Sequence, residues 1–317
     1  MFDRMYDPPP PSLNVRLDVV LPENPAEFQR AAGLWLEHGV ELLAAHKVAS
    51  LKAAPELPSK SLTRHLGSFG EPGTPWGSLV VHTDTPSGGI GIGGSLRAWT
   101  QKNWDSFIAR DLAKLPRGVE AKFSQLDKGG HPGGGEFVHL RVERETEVDG
   151  WTSMMAHRQP LPDVGARDEL ALVWFEFLTT IVAELGPYVR FGCIGEDLTI
   201  DPTVPLEEAF RRWAGFCLHE GRLRGYSWVT VLGEAALERV GGVAALERSG
   251  AFDEVRDLGG GAVVVRATPY PSQYDAEAVE KVFRALAAAL PVGEPRPDTR
   301  DYRKLVWADA ASVGQPR

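Results

Sequence analysis

Cysteine is scarce: only Cys193 and Cys217 occur in 317 residues. Neither belongs to a CxxC pair, and both sit in apolar company, "RFGCIG" and "AGFCLHE". That excludes a disulfide framework and a cysteine zinc cluster, and it fits reduced, buried thiols. No block of lysine or arginine is present, and the net charge is −9. A nucleic-acid binder carries a basic face, so nucleic acid is not an expected partner. No run reaches the roughly 18 apolar residues of a membrane span. The start, "MFDRMYDPPPPSL", lacks the apolar centre of a secretory signal. The expected setting is therefore cytoplasmic, with no membrane partner. Also missing are the GxSxG elbow, the GxxxxGK[ST] phosphate loop and the EF-hand spacing.

What is present suits a soluble globular chain, with 43% hydrophobic and 24% charged residues. The length leads us to expect about two domains. We divide it into a proline-rich leader (1–12), an N-terminal half (13–186), a C-terminal half (187–300) and a tail (301–317). "LNVRLDVVL" alternates like a half-buried strand. In "ENPAEF", Asn24 is placed to cap a helix and Pro25 to occupy its first position; the helix should end near Lys47. Residues 50–76 read as a long connection. A strand over 78–83 follows, then a short helix in "WTQKNWDSFIARDLAKL". "VEAKFSQL", "EFVHLRVERE" and "WTSMMAHR" form a meander.

Two amphipathic helices share one spacing. Trp174, Phe177, Leu178, Ile181 and Leu185 recur as Val279, Val282, Phe283, Leu286 and Leu290, each 105 positions later. Each helix follows two strand-like segments, which suggests a duplicated strand–strand–helix unit. Between them, "YVRFGCIG" reads as a strand, "LEEAFRRWAGF" as a helix and "LRGYSWVTVLG" as a central strand. Strands and helices intermix without regular alternation. The expected class is α+β, with mostly antiparallel sheets covered by helices.

The densest stretch is "LVVHTDTPSGGIGIGGS". His82 and Asp84 lie two apart on a strand and so project from one face. With His157 as a distal ligand they outline a 2-His-1-carboxylate Fe(II) site. Against that stand the many helices, which do not suit the jelly roll of such oxygenases, and Asp84 before Thr85-Pro86, a natural turn initiator. Gly89, Gly91 and Gly94 match GxGxxG but lack the strand–turn–helix that a dinucleotide cradle needs. Cys217 and His219 are i and i+2 on a helix and do not face each other. Glu196, Asp197 and Asp201 read as a solvated loop. Candidates for a binding surface are His139 and Arg141, which point away from Val138, Leu140 and Val142. Tyr226 and Trp228, expected to share a strand face with Thr230, join them. No cofactor is expected beyond Fe(II) in the metal reading.

Arg224-Gly225-Tyr226-Ser227-Trp228, then Leu232, then Val240-Gly241-Gly242-Val243-Ala244-Ala245-Leu246 resemble the signature of the type VI immunity family. That signature is an RG-aromatic strand, a short helix and a glycine-pair turn. The match is clearest over residues 222–268. The resemblance implies an α+β protein that binds and neutralises a protein toxin or effector passed between bacteria. An acidic binder suits a basic effector. The alternative from the residues is a small-molecule biosynthetic enzyme using Fe(II) at His82 and Asp84. The sequence does not fix the oligomeric state.

Overall fold

The computed structural model describes residues 12–54, 67–83, 93–145, 149–159, 163–196, 204–210, 216–296 and 304–313. The strands are β1 (Leu13–Val20), β2 (Pro75–Thr83), β3 (Gly93–Ala98), β4 (Gly118–Leu126), β5 (Pro132–Arg144), β6 (Trp151–Gln159), β7 (Val189–Gly195), β8 (Val229–Leu232), β9 (Glu254–Asp257) and β10 (Val263–Arg266). The helices are α1 (Pro25–Leu42), α2 (Ala45–Ala53), α3 (Gln101–Ser106), α4 (Val164–Leu185), α5 (Pro205–Phe210), α6 (Phe216–His219), α7 (Glu234–Arg239), α8 (Val243–Arg248) and α9 (Ala276–Leu286). All ten strands join one sheet in the order β3-β2-β4-β5-β6-β1-β7-β8-β10-β9. Every pairing in it is antiparallel. The fold is α+β.

β1 is the strand where the two expected halves meet, flanked by β6 and β7. Leu13, Val15, Leu17 and Val19 face one side and are buried. The alternation suggests that the other side is wet. Instead Asn14, Arg16 and Asp18 are buried too, because a strand inside a wide sheet is covered on both faces.

One face of the sheet carries α1 and α4. Asn24 caps α1 by accepting from the Ala26 amide (2.9 Å), with Pro25 at its first turn. α1 stops at Leu42, and α2 then runs to Ala53, so the expected single helix to Lys47 is two helices. In α4, Trp174, Phe175, Phe177, Leu178, Ile181 and Val182 are buried, and Phe177 meets Trp35 of α1 edge-on at 4.8 Å. Contrary to the expectation from sequence, residues Val164–Tyr188 are long and apolar enough to cross a membrane. Here that apolarity lines the core instead.

On the opposite face, α5 and residues 223–228 lie against β1 and β7. α9 reaches the same region through Phe283, which sits 6.1 Å from Tyr226. Over β2, β4, β5 and β6 this face is half-exposed and polar.

Candidate functional site

The open part of the sheet gathers charged side chains by register alone. His82 of β2, Glu120 of β4, and His139 and Arg141 of β5 all project from it, since their adjacent, opposite-facing neighbours Val81, Val119, Val138 and Leu140 are in the core. Glu120 stands directly opposite Arg141 across the β4–β5 ladder. Its two oxygens are taken separately. His82 Nε2 lies 2.8 Å from Oε1, and His139 Nε2 lies 2.9 Å from Oε2. Arg141 Nε stands 3.7 Å from Oε1, and its guanidinium also binds Glu143.

Burial alone pushes the Glu120 carboxyl up. The hydrogen bond and charge of His139, then His82 and Arg141, outweigh it and hold the group at about 2. Glu120 is therefore a fixed anion with two imidazoles and a guanidinium clasped to it. His82 lies opposite Gly94 on β3 and Gly118 on β4. A Cβ on Gly118 would stand 3.5 Å from its ring, and one on Gly94 3.8 Å. Those are ordinary contact distances; what Gly94 makes possible is the close approach of the Val81 carbonyl, 2.8 Å from where its Cβ would stand. Composition and motif do not reveal Glu120. Its signal is positional, a carboxylate at the polar phase of a strand whose neighbour carries histidine and arginine at the same phase.

His157 does not join this clasp. It lies on β6 opposite His139, and its Nδ1 meets Asn14 of β1. Its ring is 5.1 Å from that of Phe137. Burial, followed by the neighbouring charges of His139 and Lys122, drives it down to about 4 although Gln159 opposes the shift. His82 and His157 thus answer to different partners. Asp84 lies outside the described residues, as do Gly89, Gly91, Asp197 and Asp201. Among the described residues, no group of three or more His, Cys, Asp and Glu side chains is placed to hold a metal ion.

The immunity-like motif has a different use from the surface expected of it. "LRGYSWVTVLG" was expected to be one strand, but β8 begins only at Val229. The preceding residues are diverted by their side chains. Arg224 is 0% exposed. Its Nε and one terminal nitrogen grip Glu207 of α5 at 2.9 and 2.6 Å, and the other reaches Asp18 of β1 at 2.8 Å. Asp18 also accepts from the indole of Trp151 at 3.1 Å, and that ring stacks under the guanidinium at 4.7 Å. Burial would lower the Arg224 pKa, but Asp18 and Glu207 raise it well above its ordinary value.

Trp228 is 1% exposed and donates to the Thr268 carbonyl at 2.8 Å. Tyr226 is 8% exposed, and its hydroxyl accepts from the Val306 amide at 2.7 Å. Both aromatic residues are therefore largely buried packing and tethering groups. His139 and Arg141 remain on the open face.

A search of solved structures finds a Pseudomonas aeruginosa T6SS protein of like fold. The likeness has a TM-score of 0.54 and 15% identity, and it covers 96% of this chain and 81% of that one. No curated protein matches the sequence. Residues 216–291, which include Arg224, Tyr226 and Trp228, match the family described as type VI immunity for VRR-NUC.

Proposed function

We propose that this protein is a cytoplasmic immunity protein that neutralises a VRR-NUC effector by binding it. The observation that carries the reading is the family match over residues 216–291. The matched segment includes the buried Arg224, which joins Glu207 of α5 to Asp18 of the central strand. A binder of this kind needs a rigid frame and a patch of fixed charge, not a set of reacting groups. The frame is the ten-stranded sheet. The patch is the open face bearing His82, Glu120, His139 and Arg141, where each charged group is already oriented by a neighbour. Preorganised charge of this sort steers encounter and fixes register.

The test is co-expression with a VRR-NUC effector in bacteria. Cells making the effector alone should die, and cells making both should grow. The two purified proteins should elute together. Growth arrest despite abundant immunity protein, with no shared elution, would remove the reading.

A further inference from the structure

At the corner of the sheet where β2 ends and β3 begins lies an open cleft of about 530 Å³, lined among others by Thr83, Ser95, Asp111, Lys114 and Arg117. Its charge balance runs against that of the chain. The whole protein carries −9, yet among the described residues the lining offers two cations and one carboxylate. That carboxylate, Asp111, is already held by Arg97 and by Lys114 at 3.0 Å. Lys114 nevertheless has a side chain 73% exposed. Arg117 has no carboxylate partner among the described residues, and its Nε is buried without a hydrogen bond there. With the Nε buried, the terminal nitrogens of Arg117 are what it can offer to a ligand.

The backbone around the cleft is built irregularly. α3 runs into a π-helical turn (Phe107–Asp111) and a tight 3-10 turn (Leu112–Lys114). Leu115 then adopts φ 52°, the one non-glycine left-handed residue among those described. A branched aliphatic side chain enters that region only when its surroundings hold it there. Here Arg144 donates to the Leu115 carbonyl at 3.3 Å. The turn sets Lys114 and Arg117 on the same wall. π-helical turns concentrate at functional positions. The neighbouring strand, β3, ends the sheet. Among the described residues it has one strand partner, β2, and although its Ala98 carbonyl is taken by the Asn103 side chain at 2.9 Å, an edge strand favours a peptide over a small anion.

We propose that this cleft receives an acidic, extended segment of the partner protein, with Lys114 and Arg117 taking its carboxylates. The inference rests on the immunity reading and adds the position and charge of contact. A nucleic acid is the poorer occupant, because a polyanion is repelled by the rest of this acidic chain and finds only a short basic wall.

The test is calorimetric titration of a purified VRR-NUC effector with four proteins: wild type, Lys114→Glu/Arg117→Glu, Lys114→Gln and Lys281→Glu. Lys281 lies on α9, away from the cleft. Thermal melts identify any misfolded variant, and Lys114→Gln, at an exposed position, keeps the test valid if the double variant unfolds. The double variant should bind at least about tenfold more weakly and Lys114→Gln a few-fold more weakly, with Lys281→Glu unchanged. An acidic-to-lysine change in the effector should restore the double variant. Equal binding by wild type and both cleft variants would overturn the cleft assignment and leave the immunity reading standing. Absence of any wild-type complex would remove both. A single-stranded DNA oligonucleotide bound by wild type and lost in the cleft variants would overturn the peptide in favour of nucleic acid.

Discussion

Arg224 holds a full charge out of contact with bulk solvent, and it is tolerated because two carboxylates and an indole face meet it there. Such a network contributes little when intact against an apolar replacement of all its members. Removing one member, however, strands the others. Arg224→Met should therefore lower unfolding free energy by about 3–5 kcal/mol, read by urea denaturation. A loss under about 1 kcal/mol would mean that Asp18 and Glu207 are not stranded. Arg224→Lys should rescue little, because one ammonium cannot hold both carboxylates in the fork geometry.

Two half-buried groups give opposite pH slopes. Burial, reinforced by Glu143 and Asp18, raises the Glu145 carboxyl to about 7 despite Arg16 and Arg224. The folded state then holds a proton that the unfolded state releases above about 4.5, so stability falls as pH rises from 4.5 through 7. His157, lowered to about 4, acts the other way. The unfolded state takes up a proton below about 6.5 while the folded state does not, so stability falls as pH drops from 6.5 through 4. Glu145→Gln should remove the first slope and keep the second, as thermal melts across roughly pH 4–8 would show. A profile unchanged by that substitution would count against the burial of Glu145.

At the scale of elements, the short tail segment is fastened from inside the fold. Val306 donates to the Tyr226 hydroxyl, and Lys304 binds Glu196 at 3.1 Å. Tyr226→Phe should cost about 1 kcal/mol and speed hydrogen exchange at the Val306 amide while the β7 amides stay protected. Equal protection in both proteins would show that the tail is held by its apolar contacts alone.

Much at this scale was legible in advance. The strands from "VEAKFSQL" to "WTSMMAHR" and the helices α4 and α9 follow from period, although α9 stops at Leu286, before the expected Leu290, and each helix does follow an antiparallel hairpin, β5–β6 before α4 and β9–β10 before α9. The misreadings have a common cause. Residues 222–228 have strand-like composition, but Arg224 is drawn to Glu207 and Asp18, distant in sequence, and that outweighs local preference. β3 lies partly in a glycine-rich run that carries no apolar alternation, so only its pairing with β2 makes it a strand.

For the whole molecule, the placement of β1 governs both the continuity of the sheet and the burial of charge at its centre. An N-terminal strand inserted between β6 and β7 joins the chain's early and late segments in one sheet. It also buries its own polar face, which creates the need for Arg224. No periodicity announces this, because Arg16 and Asp18 look like ordinary solvent-facing residues until the strand order is known. The candidate site was legible only in part. His139 and Arg141 were found from strand phase, whereas Glu120 emerged only with the register that sets it between His82 and His139.

Recognition of a VRR-NUC effector is tested most directly by calorimetric titration of that effector with the wild-type protein at moderate salt. A saturable complex of fixed stoichiometry, weakened as salt rises because oriented charges guide it, is the predicted result. Flat heats at every concentration, together with continued killing in co-expressing cells, would contradict it.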